Sequence, residues 1–456
     1  MHLVFLNQYY PPDAAPTGVM LEAVANELTA HGHEVTVICA EGGYAGGVGQ
    51  DASFQFSVFR KEKESDTAGP RVVRIGTSRF GRGTFVGKLA DYLSYYLGVA
   101  WRLMWMRPRP DRIVALTTPP YLSLLARVFS KMRGGDHAHW VMDLYPDVMV
   151  AHGMLRDGGV AHRVLAGLAR WGFGGRRSAA VLSLGPDMAE RIRRLTTEMN
   201  ATARDDGASA WMPLWGGGVD SGEVDGTAVA NRRHEMGWAD HELVVMYSGN
   251  MGLGHRFGEI LEVSCQGSEG SGQGSEVSSQ ESANATAQST SSTDHRSPIT
   301  DHSPQPPRFV FFGDGKRRGE IEAFVEAHPT ARVELHDYAP ADDLPVHLRS
   351  ADVHLASLAP EWTGTMVPSK LQGIFGVGRP VIFIGSAESS IGRWVAESGG
   401  GWVVEPQDVD GLRTALAEAA DADERTSRGA RAAAFSEAQF DRQANSAAVA
   451  ARLTAR

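Results

Sequence analysis

The sequence predicts an α/β protein of two Rossmann-like domains facing across a cleft, with a disordered insertion in the second. Three observations predict it. Short strand-like apolar runs alternate with helical segments through the first half, and the same rhythm restarts after residue 240. Strands alternating with helices build parallel sheets covered on both faces. Residues 264–307 then break the rhythm with a Ser-, Gly-, Gln- and Thr-rich run that could bury almost nothing, so it cannot offset its ordering entropy.

The first strand is expected at 3–6. The turn after it, LNQYYPPDAAPTG, carries Tyr9, Tyr10, Pro11, Pro12 and a single Gly18 where a dinucleotide-binding protein carries Gly-x-Gly-x-x-Gly. Thr17 can cap the next helix, which runs to Ala30 and stops at Gly32. Strand-like runs follow at 35–39 and 71–75. Between 86 and 106, apolar residues at 86, 89, 93, 97, 100 and 104 form a helical stripe. A short strand at 113–116 leads into Thr117-Thr118-Pro119-Pro120 and a helix to Arg133. Strands at 139–142 and 179–183 complete the half.

The second half opens with a strand at 243–247, a glycine turn, and a helix at 257–263. The strand 308–312 ends in Gly313-Asp314-Gly315. Short strands are expected at 333–335, 353–355, 381–384 and 401–404, with a helix at 371–377. The expected division is 1–205 and 206–435, the latter containing the insertion. Residues 436–456 form a last helix that packs back on the first domain.

Bulk composition narrows the function classes. The chain has 456 residues and a net charge of −10, which does not suggest global nucleic-acid binding. Cys39 and Cys265 lack metal-ligand spacing and fit a reducing cytoplasm. No run of eighteen apolar residues suggests a membrane span. Residues 71–112 hold nine Lys or Arg and two acids, a local +7 in an acidic chain.

Five motifs occur in order: FLNQYYPPDAAPTG, YSGNMGLGHRFGEI, FVFFGDG, LHDYAPADDLPVHLRSADVHLASL and MVPSKLQGIFGVGRPVIFIG. Together they resemble glycosyltransferase family 4, in its bacterial branch that builds capsule, O-antigen and exopolysaccharide. The resemblance covers nearly the whole chain outside the insertion. It implies a GT-B fold, an acceptor-side first domain and a nucleotide-sugar-binding second domain. It also implies retention at the anomeric carbon, and neither a catalytic metal nor a cofactor. The implied location is cytoplasmic, peripheral on the inner face of the plasma membrane.

The residues give their own reading of a donor site. Gly249-Asn250-Met251-Gly252 follows a strand and precedes a helix, where backbone can approach a phosphate. Arg256 follows; it either contacts the diphosphate, as the resemblance implies, or is a solvated charge. Ser369 is placed to cap a helix whose first turn holds Lys370. A cation there is disfavoured by the helix dipole unless an anion joins it. The alternative is a plain cap and a solvated lysine. Gly313 either frames the nucleotide pocket or only ends a strand, and Tyr338 either reaches the base, as the resemblance implies, or packs its loop. The family's two glutamates, eight apart, would fall at Thr365 and Gly373, neither acidic. Glu361 is the candidate substitute for the first, contacting the sugar.

On the acceptor side, Asp143 stands just past a strand, where many members of the resembled family have a histidine. It can deprotonate or orient an acceptor hydroxyl. Asp147 reads as a helix cap, and His137 and His139 as structural. Gly18 lets backbone approach an anion arriving from the other domain. The basic segment, with Tyr92, Tyr95, Tyr96, Trp101 and Trp105 among its arginines, suits an anionic membrane surface presenting a lipid-linked acceptor. It also suits a helix with one face on the sheet and one in water. Competing classes are a nucleotide-sugar 2-epimerase of the same fold, a non-catalytic scaffold, and an NAD-dependent dehydrogenase. The missing glycine fingerprint disfavours the last.

Overall fold

A computed structural model describes residues 1–13, 15–41, 69–78, 80, 85–197, 209–211, 224–269, 306–340 and 343–455. Two parallel sheets organise it. The first has seven strands: β1 (His2–Leu6), β2 (Glu34–Ala40), β3 (Arg71–Ile75), β4 (Arg112–Ala115), β5 (Asp136–Trp140), β6 (Ser178–Ser183) and β7 (Ser209–Trp211), in the order β3-β2-β1-β4-β5-β6-β7. The second has six: β8 (Val244–Ser248), β9 (Arg308–Phe312), β10 (Val333–His336), β11 (Val353–Ser357), β12 (Val381–Ile384) and β13 (Gly401–Val404), in the order β10-β9-β8-β11-β12-β13. The chain is thus an α/β protein of the expected double design.

The central strands form because most are short, nearly unbroken apolar runs buried on both faces, while β3 and β10 are only partly buried. HLVFL and VIFI are buried at every position. Strand order reverses between β1 and β4, and again between β8 and β11. Such switch points open a crevice beyond the carboxyl ends of the strands.

The last helix, Arg442–Thr454, packs on helix Pro16–Ala30 of the first domain. The buried Arg112 fastens it by donating to the Leu453 carbonyl, while its other side pairs with Asp136 at 3.5 Å. The preceding helix, Ala422–Gln439, stays on the second domain against helix Lys370–Gly376.

Several expectations need correction. β7 pairs with β6, so the first sheet reaches past residue 205. β5 begins at Asp136, three residues before the expected strand, because a polar Asp-His start masks a run that is buried from His137 on. Thr17 does not cap: Pro16 occupies the first helical position after Ala15, and the Thr17 hydroxyl instead accepts from Asn7 at 3.4 Å. Helix Gly258–Glu269 includes residues 264–269 of the expected insertion. Residues 270–305, the bulk of the expected insertion, lie outside the described residues.

The helical stripe also turns out to face the other way. In helix Phe85–Trp105, Tyr95, Val99, Leu103 and the following Met106 are buried against the sheet. Val86, Leu89, Leu93 and Leu97 are 57–74% exposed, as are Trp101 and Trp105 at 52% and 66%. The helix is apolar on both faces, and periodicity alone cannot tell which one the sheet takes.

Candidate active site

The carboxyl ends of the two sheets oppose each other, joined at the back of the cleft. Asp143 and Met366 form a single antiparallel bridge, and Leu144 N–H donates to Thr365 O at 2.8 Å. Arg191 reaches across to Thr363 O at 2.9 Å while its Nε donates to Asp147 at 2.7 Å. Asp187 accepts from the Ser390 amide at 3.0 Å and from its hydroxyl. One apolar cluster runs through this joint, from Trp140, Leu144 and Val148 to Leu358, Trp362 and Val367. Asp147 therefore pairs with Arg191 inside the first domain and steadies the arginine that crosses to the second; Pro146 holds the cap position of its helix. His139 donates from Nδ1 to the Ala115 carbonyl and His137 meets Ser130, both deep in the core, as a structural reading expects.

The donor-side candidates converge. Gly249 adopts φ +124°, and a Cβ there would stand 2.6 Å from Lys370 Nζ. Lys370 Nζ donates to the Asn250 carbonyl at 3.2 Å and lies 4.2 Å over the Tyr247 ring. Tyr247 OH holds the same carbonyl from beneath at 2.7 Å. Among the described residues no carboxylate pairs with Lys370, and desolvation lowers its ammonium to about 7. The turn's amides divide: Gly249 N–H donates to Phe312 O and Met251 N–H to Asp314 O. Those of Asn250 and Gly252 have no partner among the described residues. Alternate unpaired amides beside a cation form a nest for an anion.

The loop after β9 completes this patch. Gly313, at φ +131°, lies so close that any Cβ would collide with the Gly249 carbonyl, which is why only glycine fits. Tyr338 donates to Asp314 O at 3.2 Å and leaves its ring 56% exposed beside Gly313. Ser369 precedes helix Lys370–Gly376 but makes no side-chain capping bond; its hydroxyl is exposed. His255, by contrast, is buried against Ser357 O, and burial with the Lys370 charge lowers it to about 3.

Arg256 and Glu361 fall in an adjoining groove, lined also by Glu259, Arg317 and Gln407. Arg317 N–H donates to Met251 O, so the groove continues into the glycine turn. Arg256 is not a solvated charge: it grips Glu259 through Nη2 and Nε at 2.6 and 3.0 Å. Its guanidinium must share or leave that carboxylate to meet a phosphate. Glu361 is exposed on a single 3-10 turn, Pro360–Trp362. The two glutamate slots are buried and structural. Thr365 bonds Trp362 O and lends its carbonyl to Leu144, and Gly373 lies inside helix Lys370–Gly376.

Asp143 lies at the cleft edge of the first domain, half-buried by surface but closely surrounded by protein. Desolvation raises its carboxyl to about 6. Around it stand tyrosines that the sequence did not single out. Tyr121 sits in the left-handed region at φ +67°, which costs a bulky residue about 1–3 kcal/mol. Its ring lies 6.4 Å from that of Tyr145, and its hydroxyl is buried with no hydrogen-bond partner among the described residues.

Gly18 requires a different account from the anion-facing one. It is buried, its amide donates to Ala15 O, and a Cβ would stand 3.1–3.2 Å from the Tyr9–Tyr10 backbone. Its smallness lets the tyrosine loop lie down on the helix. Gly18→Val is expected to lower stability by roughly 1–3 kcal/mol, the cost of overpacking. Thermal unfolding of the variant checks this; an unchanged Tm would contradict it.

The architecture and these motifs agree with known proteins. Residues 17–202 match the family described as glycosyl transferase 4-like domain. A protein of Escherichia coli (strain K12), provisionally assigned as the colanic acid biosynthesis glycosyl transferase WcaI, is 21% identical over 420 residues, 90% of each chain. Among solved structures, WaaG, a glycosyltransferase involved in lipopolysaccharide biosynthesis, superposes with TM-score 0.63 at 16% identity over 100% of both chains. Anabaena Alr3699/HepE in complex with UDP does so with TM-score 0.60 at 14% identity, again over 100% of both. The first domain thus matches a glycosyl transferase 4-like domain, and the whole chain shares its two-domain fold with these solved structures.

Proposed function

We propose that the protein is a retaining glycosyltransferase that moves a sugar from a nucleotide-diphosphate donor to a lipid-linked glycan acceptor in cell-surface polysaccharide synthesis. The observation that carries this reading is Lys370, a half-buried cation held on the Gly249–Asn250 turn with a carbonyl, an aromatic face and, among the described residues, no carboxylate. Two amides without a partner among the described residues stand beside it. That arrangement lacks negative charge, and a diphosphate supplies it. The solved complex of HepE with UDP, and the WaaG and WcaI assignments, support the donor class and the polysaccharide setting.

In this reading Tyr338 offers its exposed ring to the base. Lys370 and the turn amides stabilise charge that grows on the departing diphosphate as the anomeric carbon–oxygen bond breaks. The acceptor oxygen bonds to that carbon on the same face. Its proton passes to the departing phosphate or to Asp143, and the nucleoside diphosphate leaves. Thermal unfolding with UDP, GDP and dTDP tests the donor claim. At least one should raise Tm; no shift with any of them would contradict it.

A bilayer is the proposed source of the acceptor. Among the described residues, every strongly exposed large apolar side chain except Tyr338 lies between Phe80 and Trp171. All of these but Phe80 and Met154 form stripes on three helices packed side by side: Phe85–Trp105, Leu122–Arg133 and Val160–Phe173. Lys88, Arg107 and Arg109 stand exposed beside them. Apolar stripes bordered by basic residues suit an anionic interface, and no described helix is long and apolar enough to cross it. Replacing Leu93 and Leu97 together with Glu should cut co-sedimentation with phosphatidylglycerol-containing vesicles by about tenfold or more. Unchanged co-sedimentation would rule this surface out.

A further inference from the structure

We infer that Tyr92, Tyr96, Tyr121 and Tyr145 form the acceptor subsite, a cradle for a sugar ring whose apolar aglycone leaves along the exposed face of helix Phe85–Trp105. The inference rests on the glycosyltransferase reading and adds the residues that would select its acceptor.

The four tyrosines come from three separate elements. Tyr92 and Tyr96 are one turn apart on one flank of helix Phe85–Trp105. Tyr121 follows β4 and Tyr145 follows β5, two residues after Asp143. They meet in one place: the Tyr145 phenol is influenced by Asp143, Tyr92, Tyr121 and Tyr96 together, and its ring is tilted 52° against Tyr121. None of the four is fully buried. Burial raises Tyr96, Tyr121 and Tyr145 above the ordinary phenol value, so their hydroxyls are neutral donors.

Packing alone does not account for the cluster. A core position is served by phenylalanine, whereas here a phenol hydroxyl at Tyr121 is buried and, among the described residues, unpaired, on a backbone in a left-handed conformation. Strain and an unsatisfied polar group at one residue mark a place shaped for a ligand. The ligand class follows from the lining. Aromatic faces stack on the C–H faces of a sugar, and phenol hydroxyls bond its hydroxyls. Asp143, beside Tyr145, is placed for the hydroxyl that reacts. Leu89, Leu93 and Leu97 run along the neighbouring exposed face of the same helix, so an apolar chain attached to that sugar stays out of water.

The test uses n-octyl β-D-glucopyranoside and n-octyl β-D-galactopyranoside below micelle formation, with their methyl counterparts, followed by saturation-transfer NMR. At least one octyl glycoside should bind the full chain more tightly than its methyl counterpart. Tyr121→Phe and Tyr145→Phe, and Tyr92→Ala on the half-exposed flank, should each weaken that binding roughly 3- to 10-fold. Stabilisation by nucleotide should stay as in the unaltered protein. The cradle is overturned if no octyl glycoside is preferred. It is overturned equally if all three variants bind within twofold of the parent, or if they lose nucleotide stabilisation instead, which would make the cluster a base-binding site. Failure of the donor reading shows separately, as a parent protein that no nucleotide stabilises.

Discussion

Lys370→Ala should abolish stabilisation by nucleotide and lower kcat/KM by roughly two to three orders of magnitude, the usual loss when one preorganised electrostatic group is removed. The apo protein should respond in the opposite direction. Burial lowers the ammonium to about 7 from its ordinary 10.5. Between those values the unfolded chain holds a proton that the folded chain has released, so this residue makes folding stability rise with pH across that window. Below about pH 7 the buried charge opposes folding in full. Lys370→Met, which keeps the bulk and drops the charge, should therefore hold or raise the apo Tm at pH 6–7 while eliminating the nucleotide shift. Nucleotide affinity in the unaltered protein should weaken as pH rises above 7, by up to about tenfold per unit, because the diphosphate needs the protonated amine. A Lys370→Ala protein stabilised by nucleotide as strongly as its parent would refute the assignment.

Asp143→Asn should lower kcat by about 10²- to 10⁴-fold with little change in nucleotide affinity. The carboxyl is raised to about 6 from 3.8 by desolvation. Between those values the folded chain keeps a proton that the unfolded chain has lost, so stability falls as pH rises toward 6 and the penalty is complete above it. The neutral asparagine escapes that penalty. The variant should be at least as stable as the parent at pH 7 and much less active. Activity of the parent should climb as pH rises through about 6, and the variant should lose that limb. A pH–rate profile unchanged by Asp143→Asn would exclude the carboxylate from the reaction. Lys370 and Asp143 are both ionisable groups placed where their charge opposes folding, which is the usual mark of a functional site.

The strands were readable because parallel, doubly covered sheets leave short apolar runs. Thus 308–312 and 381–384 were placed at their observed bounds. That the glycine turn at 249–252, Gly313 and Lys370 stand out is also legible, since a tight turn needs glycine and a lysine at a helix start needs an explanation; the structure brings the three together. Contacts between distant segments were not legible. Nothing local in Thr365 tells that its carbonyl receives Leu144, or in Arg256 that Glu259 takes its guanidinium. The sequence around Gly18 suggests approach to a ligand, whereas the backbone it admits is that of Tyr9 and Tyr10. Tyr121 carries no sequence signal because its signal is conformational, a left-handed backbone that no residue letter displays. In helix Phe85–Trp105 the sequence holds two apolar faces, and only β3 and the neighbouring helix decide which is buried.

A crystal structure with whichever of UDP, GDP or dTDP most stabilises the protein tests the central claim most directly. The account predicts the diphosphate on the Gly249–Gly252 turn, with Lys370 Nζ and the Asn250 and Gly252 amides within hydrogen-bond distance and the base against Tyr338. A nucleotide bound elsewhere, with Lys370 still resting on the Asn250 carbonyl, would contradict it.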